Sequence, residues 1–139
     1  MSIQKVNHNV VKPFDAKSIA ATGNSYGNKS TDGTKAWIDC NGWTDKVFTY
    51  EVDSSGSIAL TVTAHLSPQG AYELNNKTVT TDDYVAVVLA SAASGAIAAR
   101  VDASDVDDLQ RPIRSIRFLA ANGDASDASV VTAYIEGWS

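Results

Sequence analysis

The sequence predicts an all-β protein, an antiparallel β-sandwich or jelly-roll-like fold with roughly seven to nine short strands. Apolar and polar residues alternate without a break over residues 58–66, IALTVTAHL, which is the period-two pattern of a half-buried strand. The chain has 14 Val against 6 Leu, and 11 Thr, and β-branched residues suit a pleated surface better than a helix. Segments rich in Gly, Asn, Asp and Ser recur every ~8–12 residues, as turns between short strands do.

Length and charge restrict the organisation and the partners. A chain of 139 residues is long enough for one domain with one core. The net charge of −5 disfavours nucleic-acid binding, which needs clustered Lys and Arg. The single cysteine, Cys40, excludes an internal disulfide framework. The least charged stretch, residues 84–99, is too short for a membrane helix, so we predict no membrane partner.

The N-terminal residues differ in pattern from the rest. Residues 1–16 are aperiodic, contain Pro13 and lack a signal-peptide core, so we predict an extended N-terminal arm that orders against a partner. A β-sandwich domain is expected over residues 17–139. Within it, residues 18–22 are a short candidate strand and residues 23–34 a loop.

Two strong strands are expected next. Residues 35–40 alternate and end at an Asn-Gly turn. Residues 46–52 alternate again, and the turn at 53–56 predicts a hairpin with the strand at 58–66.

The second half continues with strands and one helical turn. Residues 84–90 are apolar on both parities, so we predict a central strand covered on both faces, with residues 96–102 as its hairpin partner. Residues 104–110 have the caps of one helical turn. Strands are expected at 113–120 and 129–137.

The sequence contains no catalytic signature. His65 lies on the polar parity of its strand just before a turn, and no GxSxG motif is present. We interpret it as a surface histidine at a strand end. We therefore predict that the protein is not an enzyme, with no catalytic residue and no cofactor.

Acidic and basic clusters have structural interpretations. Carboxylates can hold Ca²⁺, but the acidic cluster lacks the spacing and the glycine of an EF-hand loop, so no metal site is predicted. Three arginines at three-residue spacing alternate between faces of a strand. Of these, Arg114 shares parity with Ile116 and is expected to need a carboxylate partner. Arg117 is a candidate interface residue. The acidic cluster is Asp102, Asp105, Asp107 and Asp108, and the arginines are Arg111, Arg114 and Arg117.

The three tryptophans are Trp37, Trp43 and Trp138. Exposed tryptophans often anchor protein interfaces, and aromatic rings also stack on sugars, so an interface, a sugar-binding face and core packing all remain open. Trp37 lies on the polar parity of its strand, which predicts an exposed side chain. Cys40 lies on the apolar parity and is predicted to be a buried small hydrophobe.

Three segments carry a family resemblance: KAWIDCNGWTDKVFTYEV, IALTVTAHLSPQGAYE and RPIRSIRFLAANGDASDASVVTAYIEGW. Over most of residues 17–139 the chain resembles small β-sandwich virion proteins of tailed double-stranded DNA phages, most closely capsid decoration (cement) proteins. The resemblance implies a homo-oligomer, with a trimer favoured, made in the host cytoplasm and seated on the capsid surface of the virion. The implied partner is the phage major capsid protein.

The expected function is therefore a structural one. The leading hypothesis is a decoration protein that binds the outer capsid lattice and stabilises it. The alternative is a tail-associated carbohydrate- or receptor-binding β-sandwich module. The candidate interface residues are Val10, Val11, Phe14, Trp37, Trp43, Arg117 and Trp138.

Overall fold

The computed structural model describes residues 8–27, 35–54, 58–92, 98–101 and 113–139. Within these ranges the chain forms nine strands in two antiparallel sheets and one short helix, so the predicted all-β sandwich is confirmed. No helix in the described ranges has the length and apolar character needed to cross a membrane.

The four-stranded sheet has the order β1-β9-β4-β7. In the five-stranded sheet, β2 and β3 both pair with β8, and β5 and β6 follow. The bounds are β1 His8–Ile19, β2 Asn24–Tyr26, β3 Ile38–Asp39, β4 Asp45–Ser54, β5 Leu60–Ser67, α1 Ala71–Asn75, β6 Val85–Ala92, β7 Ala98–Val101, β8 Ser115–Asn122 and β9 Ser129–Trp138.

The core lies between the two sheets and follows the predicted alternation. Phe48 of β4 and Phe118 of β8 meet across it, with ring centroids 5.2 Å apart. Val131, Ala133 and Ile135 of β9 are fully buried there, as period two requires of one face of a strand. Burial of such side chains drives the sheets together.

The predicted hairpins are wrong, although their strands exist. β4 pairs with β9 and β7, whereas β5 pairs with β8 and β6, so β4 and β5 belong to opposite sheets. Likewise β6 and β7 lie in different sheets. Alternation identifies which face of a strand is buried, but an apolar face can be buried equally well from either sheet.

β6 also differs from the predicted central strand. It pairs with β5 alone among the described strands and ends the five-stranded sheet. Val88 is 58% exposed. Its run of apolar residues therefore reflects an apolar edge strand rather than burial on both faces.

The predicted arm is part of the sandwich where the structure describes it. Residues 8–16 belong to β1, which pairs with β9 inside the same chain, so the predicted boundary between 16 and 17 falls within a strand. The pairing shifts register between Val11 and Phe14 and again between Phe14 and Lys17. Such irregularities break the period-two pattern, which is why this strand looked aperiodic. Residues 1–7 lie outside the described residues.

Smaller differences concern the short elements. The predicted loop at 23–34 contains β2, the predicted strand at 35–40 is reduced to β3, and α1 was not predicted. The helical turn at 104–110, its aspartates and Arg111 lie outside the described residues.

Candidate interaction surface

The outer side of the four-stranded sheet carries a group of exposed and half-buried aromatic, aliphatic and charged side chains at β1 and β9. Alternation in β9 turns one parity into the core and the other outward. Pairing then sets His8 opposite Trp138 and Val10 opposite Glu136. We call this surface the β1–β9 face; its residues are His8, Val10, Lys12, Tyr134, Glu136 and Trp138.

Two aromatic rings form a flat unit at one end of the β1–β9 face. The rings of His8 and Trp138 are stacked, with centroids 4.7 Å apart and planes 5° from parallel. His8 Nε2 also lies at hydrogen-bond distance, 3.1 Å, from Glu136 Oε2. The imidazole of His8 thus contacts both the Glu136 carboxylate and the indole of Trp138.

The other end of the β1–β9 face contains a cation over an aromatic ring. Lys12 Nζ lies 5.2 Å from the centroid of the Tyr134 ring and 2.9 Å from Asp15 Oδ1. The hydrogen bond with Asp15, followed by that with Tyr134, raises the pKa of Lys12. The ammonium stays charged and is oriented along the surface.

Exposure makes this face suitable for a protein partner. Val10 is 54% and Tyr134 37% exposed, and these are two of the five large apolar side chains that the described residues expose. Aromatic and aliphatic groups rimmed by charges are the usual composition of protein interfaces.

The seven candidate interface residues are not brought to one place. Val10 and Trp138 lie on the β1–β9 face, and the partly buried Val11 packs against the core. The other four are buried within the chain: Phe14, Trp37, Trp43 and Arg117. Contact of any of the seven with a partner stays a prediction.

Trp37 contradicts its predicted exposure, since it is only 2% exposed. The backbone N–H of Trp37 donates to Asn75 Oδ1 at 3.0 Å, and Asn75 Nδ2 donates back to the Trp37 carbonyl at 3.2 Å. This double hydrogen bond to α1 holds the segment before β3 against the sheet. The alternation of residues within a strand does not show that a segment from elsewhere in the chain covers its outward side.

Five residues form a cluster on the outer side of the five-stranded sheet, in which Trp37, His65 and Arg117 are buried and the two tyrosines are half-buried. We call it the Arg117 cluster: Tyr26, Trp37, His65, Tyr84 and Arg117. Arg117 of β8 is opposite His65 of β5, and its Nε and Nη2 lie 3.1 and 2.9 Å from His65 Nδ1. His65 is 4% exposed, so its interpretation as a surface histidine is wrong.

Aromatic rings enclose this guanidinium. Arg117 Cζ lies 4.5, 4.6 and 5.2 Å from the ring centroids of Tyr26, Trp37 and Tyr84. Burial lowers the pKa of Arg117. Burial and, second, the Arg117 charge lower the pKa of His65 from 6.5 to about 4. When His65 is neutral, its Nδ1 can accept the hydrogen bonds that the guanidinium N–H groups donate.

Arg114 differs from Arg117 in its burial. It precedes β8 and is exposed, so the predicted requirement for a carboxylate partner does not arise. Of Arg114 and Arg117, the fold buries Arg117, because a covering segment lies over the outward parity of β8.

That covering segment, residues 68–84, is closed by Asp83. Its carboxylate accepts hydrogen bonds from Lys77 Nζ, Gln69 Nε2 and the Thr80 N–H, each at 2.8 Å. These bonds, that from Lys77 first, hold the pKa of Asp83 well below its usual range. Ser67 Oγ donates to the Asp83 carbonyl at 2.7 Å. Tyr84 follows directly and is thereby placed over His65, with ring centroids 4.1 Å apart.

Cys40 is fully buried, as predicted. Burial raises the pKa of its thiol to about 12, so it is a protonated packing group rather than a nucleophile. Nearby in sequence, Lys46 is also buried and its Nζ donates to the Trp43 carbonyl at 3.4 Å. Within the described ranges, no three His, Cys, Asp or Glu side chains are grouped so as to hold a metal ion.

Comparison with known proteins supports the fold. No protein-family model and no curated protein sequence matches the chain. The structure is similar to VP2 in the subviral particle of infectious bursal disease virus, with a TM-score of 0.51 and 11% identity over 96% of this chain and 33% of that chain. This chain thus spans about a third of the VP2 length, and the likeness shows the fold alone.

A second similar structure is the SPBc2 prophage-derived protein YomS. Its TM-score is 0.47, with 11% identity over 100% of this chain and 99% of that chain. This similarity is too weak to establish a shared fold.

Proposed function

We propose that the chain is a structural virion protein that decorates a phage capsid, binding the outer lattice through the β1–β9 face. The observation that carries the proposal is the grouping on this face of Val10 and Trp138, both predicted from sequence to contact a partner, with the exposed ring of Tyr134. The fold likeness to a viral capsid protein is compatible with this proposal and assigns no partner.

The face is preorganised for binding. Stacking on His8 fixes the Trp138 ring, and the nearby ammonium of Lys12 restricts the Tyr134 ring. Ordering side chains on association costs about 0.5–1.5 kcal/mol each, so rings that are already held lose less. Trp and Tyr are also the side chains most often found to dominate binding energy.

A decoration protein stabilises a shell by binding the assembled form in preference to its separated subunits. We propose that the protein is a homo-oligomer, with a trimer favoured, once it is bound to the major capsid protein on the lattice. Several copies of one modest contact then act together, which raises the overall affinity without a new kind of contact.

Co-sedimentation tests the proposal. The protein is mixed with capsids assembled from the major capsid protein encoded nearest to it in the same genome, and bound protein is measured in the pellet. We expect Tyr134→Ala and Trp138→Ala each to weaken binding about tenfold or more, since interface anchors cost 2 kcal/mol or more when truncated. Tyr72→Ala is the matched control, because Tyr72 is 82% exposed but lies on α1.

The proposal fails if the wild-type protein stays in the supernatant, or if Tyr72→Ala weakens binding as much as Tyr134→Ala. Thermal unfolding of each variant alone identifies any loss of binding that comes from loss of folding.

One observation favours a second function, carbohydrate or receptor binding. The His8–Trp138 stack presents a flat aromatic surface of the kind that contacts sugar rings. Against it, Trp37 and Trp43 are buried, so the three tryptophans do not share a sugar-binding face. A glycan array that gives binding lost in Trp138→Ala, with no capsid binding, would favour this second function.

A further inference from the structure

The sheet edges of this sandwich differ in how they are protected against pairing with another chain. Natural proteins protect edges with charges, proline, bulges or very short strands. β1 contains Lys12, Pro13 and Lys17 and has two register shifts. β7 has only four residues. β2 and β3 have only three and two residues.

β6 has almost none of these protections. It is eight residues long, VAVVLASA, with no charge and no proline. The register with β5 is regular from Val85 to Val88, and the single irregularity follows at Leu89. Val85 is 49% and Val88 58% exposed. Among the described strands only β5 pairs with it, so the backbone groups of its other edge face away from the sheet.

We propose that β6 pairs antiparallel with β6 of a second copy of this chain, joining two five-stranded sheets across a two-fold axis. An open strand edge is complementary to another strand, because both offer alternating N–H and C=O groups. In a two-fold contact the same surface serves both partners, so one apolar edge suffices.

The lack of charge on β6 permits a second copy as the occupant. The chain carries −5, and like-charged copies repel across most surfaces. β6 brings no charge to the contact, and the nearest preceding carboxylate, Asp83, is paired with Lys77 Nζ at 2.8 Å. The β6 edge is therefore a surface on which two copies approach without placing like charges directly opposite each other.

The size of the contact predicts a weak dimer. Eight residues span about 27 Å of strand, and one strand edge buries less than the roughly 1,200 Å² of a stable interface. A dissociation constant on the order of 10–100 µM is expected. This inference does not depend on capsid binding, which uses the opposite sheet.

Sedimentation velocity over a concentration series of the purified protein, from about 5 to 500 µM, tests the dimer. We expect a monomer–dimer equilibrium that Val88→Lys weakens about tenfold or more, since lysine is a natural protector of strand edges. Tyr72→Lys is the control: it adds the same charge at an exposed apolar residue on α1 and leaves the equilibrium unchanged.

Hydrogen exchange on the wild-type protein gives a second measurement that needs no variant. Amides of residues 85–88 exchange more slowly at high concentration if the edges pair. A monomer at all concentrations, a trimer without a dimer, equal effects of the two lysine variants, or concentration-independent exchange in β6 would each overturn the proposal. Capsid binding by Val88→Lys is measured separately, and its retention shows that the two contacts are distinct.

Discussion

At the scale of the residue, the structure buries a cation that the sequence pattern placed on the outer side of a strand. Arg117 is 5% exposed and donates to His65 Nδ1, while Arg114, three residues earlier, is exposed. We expect Arg117→Ala to lower the free energy of unfolding by about 3 kcal/mol, since a buried polar partner is left unpaired and a cavity forms. Urea unfolding measures this. Arg114→Ala is the matched control and changes it by less than about 0.5 kcal/mol; equal effects would contradict the role of burial.

A second prediction at this scale concerns pH. The pKa of His65 is about 4 in the folded protein, below its ordinary 6.5, so the unfolded chain takes up a proton first as pH falls. The contribution of His65 to the free energy of unfolding is therefore fully present above pH 6.5. It decreases by on the order of 3 kcal/mol as the pH falls to about 4. Unfolding in urea at a series of pH values measures the loss. His65→Gln should remove this part of the dependence and His8→Gln should retain it; the reverse result would refute the assignment.

At the scale of the element, β9 packs against the segment that precedes β4. A Cβ on Gly137 would lie 2.8 Å from Trp43 Cγ and closer still to two other ring atoms. Because the ring lies in the core, it cannot move away without opening a gap. We expect Gly137→Ala to cost about 1–3 kcal/mol of stability, measured by thermal unfolding. Gly70→Ala is the control, since its Cβ would meet only the end of the Arg114 side chain at 3.6 Å. A stable Gly137→Ala would show that the indole is loosely packed.

The covering segment, residues 68–84, is predicted to open independently of β8 when its hydrogen bonds to Asp83 are removed. Asp83→Ala removes the acceptor of three hydrogen bonds that close residues 68–84. We expect the amides of this segment to exchange hydrogen faster, while those of β8 change little, because a surface segment opens locally before the sheet does. Asp82→Ala, which changes the neighbouring exposed aspartate, is the control. Unchanged exchange in Asp83→Ala would mean that packing alone holds the cover.

Elements also show what the sequence could predict. β4, β5, β8 and β9 were recognisable because each keeps its alternation over eight or ten residues. β1 was not, because its two register shifts break the period. The pairing of strands could not be predicted, because the alternation of apolar and polar residues shows which face of a strand is buried but not which sheet the strand joins. The burial of Trp37 and His65 depends on a cover formed by residues distant in sequence, which no local pattern contains.

At the scale of the whole molecule, the sandwich separates two kinds of surface. The β1–β9 face lies on the outside of one sheet, while part of the outside of the other sheet is covered by residues 68–84, which lie over His65 and Arg117. If the exposed face binds the shell, saturating wild-type protein should raise the temperature at which capsids disassemble. At a free concentration one hundred times the dissociation constant, each site contributes about 2.7 kcal/mol to the assembled form. Differential scanning calorimetry of capsids with and without the protein measures the shift.

The variants separate attachment from stabilisation. Tyr134→Ala at the same concentration should give a smaller shift, because fewer sites are filled, whereas Tyr72→Ala should match the wild type. Raising the Tyr134→Ala concentration until sedimentation shows full occupancy should restore the shift, since the remaining surface is still buried against the lattice. Wild-type protein that is bound at saturation but leaves the disassembly temperature unchanged would show attachment without reinforcement. The protein would then coat the capsid without stabilising it, and the stabilising part of the proposed function would be wrong.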